Sequence, residues 1–117
     1  MRYKHYAPKA DLTIVEGPEK EVVSKIRELA GQQMAQGIRV GIICTDETRT
    51  EYSGGDVKSI GARSDEASIA RHLYGILREF DDDHVEVIYS EAFDTPKMGQ
   101  AIMNRLLKAA GHKRLKV

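Results

Sequence analysis

Short β-branched runs alternate with long amphipathic stripes, and this alternation constrains the fold more than any other feature of the chain. Residues 12–15, 40–44 and 85–89 read as strands, and 57–60 as a weaker one. Val22, Val23, Ile26, Leu29, Ala30 and Met34 recur at helical spacing. So do Ile69, Leu73, Ile76, Leu77 and Phe80, and then Met98, Ile102, Met103, Leu106, Leu107 and Ala110. Strands that alternate with helices build a mostly parallel sheet with helices on both faces. The run 40–44 is apolar almost throughout, as befits a strand covered on both sides. The expected fold is α/β: a small Rossmann-like three-layer sandwich of about four mostly parallel strands. The expected strand order is 3-2-1-4, with 2-1-3-4 as the alternative.

Punctuation agrees with this reading. Pro18 suits the first turn of a helix, and Glu19 and Glu21 suit its positive end. Gly37 suits the end of that helix and Gly111 the end of the last one. Ser64 or Asp65 can cap the middle helix. Asp81, Asp82 and Asp83 end it, although acids are unfavourable there. His112, Lys113 and Arg114 read as a basic tail that complements the last helix dipole. Residues 45–56 are a polar loop with room for one helical turn.

Composition narrows the function classes. The 117 residues suffice for one domain. Lys plus Arg (18) equals Asp plus Glu (18), which excludes a basic nucleic-acid module and an acidic tail. The single cysteine, Cys44, can form neither an internal disulfide nor a cysteine zinc cluster, and points to a reducing, cytoplasmic setting. No apolar run approaches the roughly 20 residues of a membrane span, and residues 1–9 lack the apolar stretch of a signal peptide, so no membrane partner is expected.

In a sheet of this kind, ligands sit beyond the carboxyl ends of the strands. A crevice there would involve Gly17, Thr45, Asp46 and Gly61. The first turn offers one glycine, Gly17, where a dinucleotide fingerprint needs three, and Pro18 removes a backbone donor. Thr45, Asp46 and Glu47 fit a nucleotide or metal pocket, and they fit an ordinary solvated loop as well. His5, His72, His84 and His112 have no partners at metal-ligand spacing, so no metal is expected. Asp81, Asp82, Asp83 and His84 read as a solvated turn, and Cys44 as a buried, inert thiol. Asn104 and Arg105 fit a polar contact to a partner or plain surface hydrogen bonding.

Residues 1–10 stand apart as an arm, with residues 11–117 as the domain. The arm carries Arg2, Lys4, His5 and Lys9, two tyrosines (Tyr3 and Tyr6) and Pro8, without helical or strand periodicity. Phenol, imidazole and ammonium groups so close together suit a lid over a phosphate-bearing ligand, or equally a sticky terminus.

The arm sequence through His5-Tyr6-Ala7-Pro8-Lys9 closely resembles the linker of the long, two-domain threonylcarbamoyl-AMP synthases. Gly99, Ala101-Ile102, Asn104-Arg105-Leu106 and Ala109-Ala110 are similar to the last helix of that family. The resemblance implies a C-terminal accessory domain with its linker, preceded in the longer form by a YrdC-like catalytic domain. It implies that the complete enzyme makes threonylcarbamoyl-adenylate from ATP, threonine and bicarbonate, for transfer to tRNA by a separate transferase. ATP, and Mg with it, would belong to the catalytic domain, and no catalytic residue carries over to this chain. Lys4, His5, Tyr6, Ala7, Pro8 and Lys9 would lie across the catalytic cleft as a lid.

Overall fold

Strand β1 (Asp11–Glu16) leads into helix α1 (Glu19–Ala35), strand β2 (Val40–Cys44), a 3-10 turn (Arg49–Glu51) and strand β3 (Asp56–Ser59). Helix α2 (Glu66–Asp82), strand β4 (Val87–Glu91), helix α3 (Gly99–Ala109) and strand β5 (Arg114–Lys116) follow. The computed structural model describes residues 8–93 and 95–117, so Lys4, His5, Tyr6 and Ala7 lie outside the described residues. Five strands form one all-parallel sheet in the order β3-β2-β4-β1-β5.

The parallel α/β sandwich is the expected one, but the strand order is neither 3-2-1-4 nor 2-1-3-4. Strand β4 lies between β2 and β1, and Val87 is in register with both Val40 and Asp11. Burial explains the position. The last four residues of β4 are buried, whereas every residue of β3 is only half-buried. A strand that can hide both faces belongs inside the sheet, and a half-covered one belongs at its edge. The fifth strand is the second departure. Residues 114–116 pair with Ile14, Val15 and Glu16 instead of trailing as a basic tail. Their only apolar residue is Leu115, too little to show a strand pattern.

The strand period of two divides the core. Leu12, Ile14, Ile43, Ile60 and Ile88 pack under α2 and α3, with Leu73, Leu77, Phe80, Ile102 and Leu106. Val15, Val40, Ile42 and Tyr89 pack under α1, with Val22, Ile26 and Ala30. The chain steps one way across the sheet through α1 and back through α2 and α3. Crossovers of constant hand then place those helices on opposite faces.

Helix ends set where the strands begin. Pro18 stands just outside α1 in an extended conformation, and its carbonyl accepts from the Val22 N–H at 2.9 Å. The Asp65 side chain caps α2 by accepting from the Ser68 N–H at 3.2 Å. At the other end of α2, His84 is left-handed (φ 60°), and the Val85 N–H closes the helix on the Phe80 carbonyl at 3.0 Å. Val85 therefore seals a helix, and β4 starts two residues later than its apolar pattern suggests. The unfavourable acids at this end are offset by Lys58, which pairs with Asp83 (3.2 Å), Glu79 (3.3 Å) and Asp56 (3.4 Å). Glu66 clasps the entry to α3, accepting from Thr95 Oγ1 (2.7 Å) and from the N–H groups of Lys97 and Met98. The Met98 N–H is the main reason that its carboxyl lies below the usual range.

Gly41 shows how tightly β2 is packed. A Cβ there would stand 2.6 Å from Phe80 Cε1, inside the fully buried ring. Gly41→Ala should destabilise the domain by about 1–3 kcal/mol through overpacking. A lower urea midpoint at unchanged slope would register it.

Candidate functional site

Strands β1 and β4 are neighbours, yet β1 sends its helix to one face of the sheet and β4 to the other. The loops after such a pair diverge and leave a crevice beyond the strand ends. Gly17 follows β1 here, and Ala92 follows β4. Arg63, from the loop after β3, reaches across to the same point. The larger opening, a cleft of about 690 Å³, runs toward α3 between Gly17, Arg63, Gln100, Asn104 and Arg114. A smaller one of about 180 Å³ faces α1 and includes Glu91. Gly17 has φ +146°, and a Cβ there would meet the Val117 carbonyl at 2.6 Å. Only glycine fits where Val117 closes on this turn.

A buried acid lies at the base of the crevice. Glu91 ends β4 and is 2% exposed. Its Oε2 accepts from Tyr52 Oη (2.6 Å) and Thr48 Oγ1 (2.7 Å), and its Oε1 accepts from Arg63 Nη2 (3.2 Å). Burial pushes the carboxyl above the usual range, outweighing the hydroxyl donors and the guanidinium. The Tyr52 hydroxyl is pushed upward as well, first by burial and then by its bond to Glu91. Arg63 is fixed in turn. Nη1 donates to the Ala92 carbonyl (3.2 Å), and the guanidinium lies 5.9 Å from the centre of the Phe93 ring. At the rim, Arg114 grips Glu16 through Nε (3.1 Å) and Nη2 (2.6 Å).

The residues expected at the crevice have separate places. Gly17 lines it. Thr45 is fully buried behind it, with Oγ1 3.2 Å from Thr48 Oγ1, and so backs the Glu91 cluster. Asp46 and Gly61 are tied together over β2 and β3. The Asp46 N–H donates to the Gly61 carbonyl (3.0 Å), and the Asp46 carboxylate accepts from Ser59 Oγ (2.5 Å). Of the arm, Pro8 is half-buried, Lys9 is exposed and its N–H donates to Asp81 Oδ1 at 3.0 Å. Sequence reasoning placed Arg63 and Glu91 at strand ends without assigning them to the crevice, and it did not single out Thr48, Tyr52 or Arg114 as site residues. The signal for Glu91 was its place at a strand end, and the two-residue shift of β4 draws it into the sheet.

Cys44 is wholly buried, and its thiol is pushed up to about 12, chiefly by burial and then by the nearby Glu91. Among the described residues, no group of three or more His, Cys, Asp or Glu side chains converges to hold a metal ion. No described helix is long and apolar enough to cross a membrane.

The family model for the threonylcarbamoyl-AMP synthase C-terminal domain matches residues 1–111. The chain is 45% identical to threonylcarbamoyl-AMP synthase of Bacillus subtilis over 95% of its own length and 31% of that protein. It is 39% identical to the Pyrococcus abyssi enzyme over its whole length and 33% of that protein. It thus spans about a third of these curated relatives. A crystal structure of P. abyssi Sua5 complexed with L-threonine superposes on the whole chain with a TM-score of 0.85 at 38% identity, across 33% of that structure. The crystal structure of a C-terminal Sua5 domain from Pyrococcus horikoshii matches 95% of this chain and 100% of its own, with a TM-score of 0.75 at 32% identity.

Two outcomes follow from the buried cluster. Cys44 should resist a disulfide reagent in the native protein and react fully in denaturant, as a thiol-release assay would show. Glu91 binds its proton more tightly folded than unfolded. Its contribution to stability is therefore complete below the unfolded carboxyl range and is lost as pH rises through the raised folded value. Glu91→Gln should remove that loss, so its urea midpoint should gain on the parent between acid and neutral pH. Glu91→Ala strands its donors and should cost about 1–3 kcal/mol.

Proposed function

This chain belongs to the family of threonylcarbamoyl-AMP synthase C-terminal domains, and from that membership we propose that it is the accessory module of a two-domain synthase. The preceding YrdC-like domain performs the chemistry. It joins threonine, bicarbonate and ATP into threonylcarbamoyl-adenylate and releases pyrophosphate. A separate transferase then passes the threonylcarbamoyl group to tRNA, so this chain meets tRNA only indirectly. The work belongs in the cytoplasm, and a lone buried cysteine suits a reducing compartment.

The observation that carries this reading is the match itself. It takes in the arm together with the domain, yet covers only about a third of each synthase. The domain's part is to hold the arm. Ala10 is buried in the core, the Lys9 N–H is bound by Asp81, and the Asp11 N–H donates to the Glu86 carbonyl at 3.0 Å. This root fixes where the linker leaves the sheet. A linker so anchored can lie over the catalytic cleft with His5, Tyr6, Ala7 and Pro8 nearest the substrates and Lys4 and Lys9 beside them. Closing the cleft keeps water from a carbamate and a mixed anhydride, both of which hydrolyse readily.

Pyrophosphate release by the full-length synthase tests the lid. Tyr6→Ala should lower the rate by roughly tenfold or more, as misplacement of a closing element does. Deleting residues 8–117 from the same enzyme should lower it further. Unchanged rates in both would overturn the lid.

A further inference from the structure

We propose that the cleft between Gly17 and α3 binds a phosphate-bearing small molecule of nucleoside-monophosphate size, with Arg63 and Arg114 on the phosphate and Gln100 and Asn104 on its remaining polar groups. The site lies beyond the arm's role and does not depend on it.

Size and place come first. About 690 Å³ is ample for a small metabolite and large for a bare anion, since ligand pockets run from about 300 to 1,000 Å³. The cleft stands where neighbouring strands send their helices to opposite faces, which is where open α/β sheets take ligands. Gly17 is one of its lining residues. Among the other hollows, the one beside α1 is about 350 Å³ and is lined by Glu19, Glu47 and Glu51 against Lys20 and Arg27, and one of about 480 Å³ beside β3 and α2 lies away from this pair of strand ends.

Charge and geometry come next. Arg63 is held in one plane by Glu91, the Ala92 carbonyl and the Phe93 ring. Those contacts leave further guanidinium N–H groups to donate to a ligand. Arg114 approaches from the rim and also keeps donors beyond its grip on Glu16. Donors from two directions suit a tetrahedral phosphate better than a planar carboxylate, which one guanidinium can satisfy. Gln100 and Asn104 stand one turn apart on α3, both exposed, and line the same cleft. Their amides can donate and accept, as recognition of a sugar or base requires.

The cleft is also remote from the root of the arm. The arm is anchored at the start of β1 and the cleft lies at its end, about 17 Å along the strand. A ligand there would act on the domain rather than touch the lid at its root.

An amide NMR titration of the 117-residue chain with AMP, adenosine, inorganic phosphate and succinate tests the site. AMP should give saturable shifts at Gly17, Ala92 and Asn104. Phosphate should shift the same amides more weakly, and adenosine and succinate less still. Arg63→Lys keeps the charge but loses the fork, and should weaken AMP at least about tenfold. Asn104→Leu lies outside both ion pairs at an exposed position. It should weaken AMP and leave phosphate unchanged, even if Arg63→Lys perturbs the fold. The proposal is overturned by the absence of saturable AMP shifts, by shifts that map elsewhere, by succinate binding more tightly than phosphate, or by AMP affinity unchanged in Asn104→Leu and in folded Arg63→Lys.

Discussion

Strand β4 pairs with β1 on one side and β2 on the other, and the carboxyl edge of the sheet depends on that double pairing. It makes β4 the central strand, buried on both faces, and carries its last residue, Glu91, into the interior. A buried carboxyl must be met by donors from its surroundings. Thr48 and Tyr52 come from the long β2–β3 connection, and Arg63 from the loop after β3. One acid thus ties two connecting segments to β4. The same central placement puts β1 and β4 side by side with their helices on opposite faces, and this opens the crevice that Arg63 spans.

The two proposals place the domain's roles at opposite ends of the sheet. At the amino edge, the arm's root is fastened to α2 and the core through Lys9, Ala10 and Asp11. At the carboxyl edge, Gly17, Arg63, Arg114 and α3 surround the larger cleft. The rigid sheet between them keeps the two apart. Holding a linker and receiving a small molecule can therefore coexist in a chain this short. The Glu66 clasp on the entry to α3 serves the second end, because α3 is a wall of the cleft.

Much of the fold was legible in the residues. The three apolar stripes became the three helices, and the capping role of Asp65 and the turn at Gly37 stand where the pattern put them. Strand β5 was not legible, because a three-residue strand with one apolar member has no period to detect. The start of β4 was misplaced because Val85 looks like a strand residue and is spent on closing α2. Of the crevice, Gly17 was visible from its place after the first strand. Arg63 was visible only as a residue at the end of the third strand, and Arg114 not at all, because a lone arginine in a loop or tail carries no local sign of what it faces.

By itself the sequence determined the class of fold and the family, since these rest on periodicity and on residues adjacent in the chain. Tertiary structure alone decided the strand order, the burial of Glu91 and the convergence of Arg63 and Arg114 on one cleft. Those depend on contacts between residues far apart in the chain, such as Arg63 with Glu91 and Glu16 with Arg114. No local pattern encodes such contacts, because packing energy is summed over the whole core and the chain takes the strand order that buries most of it.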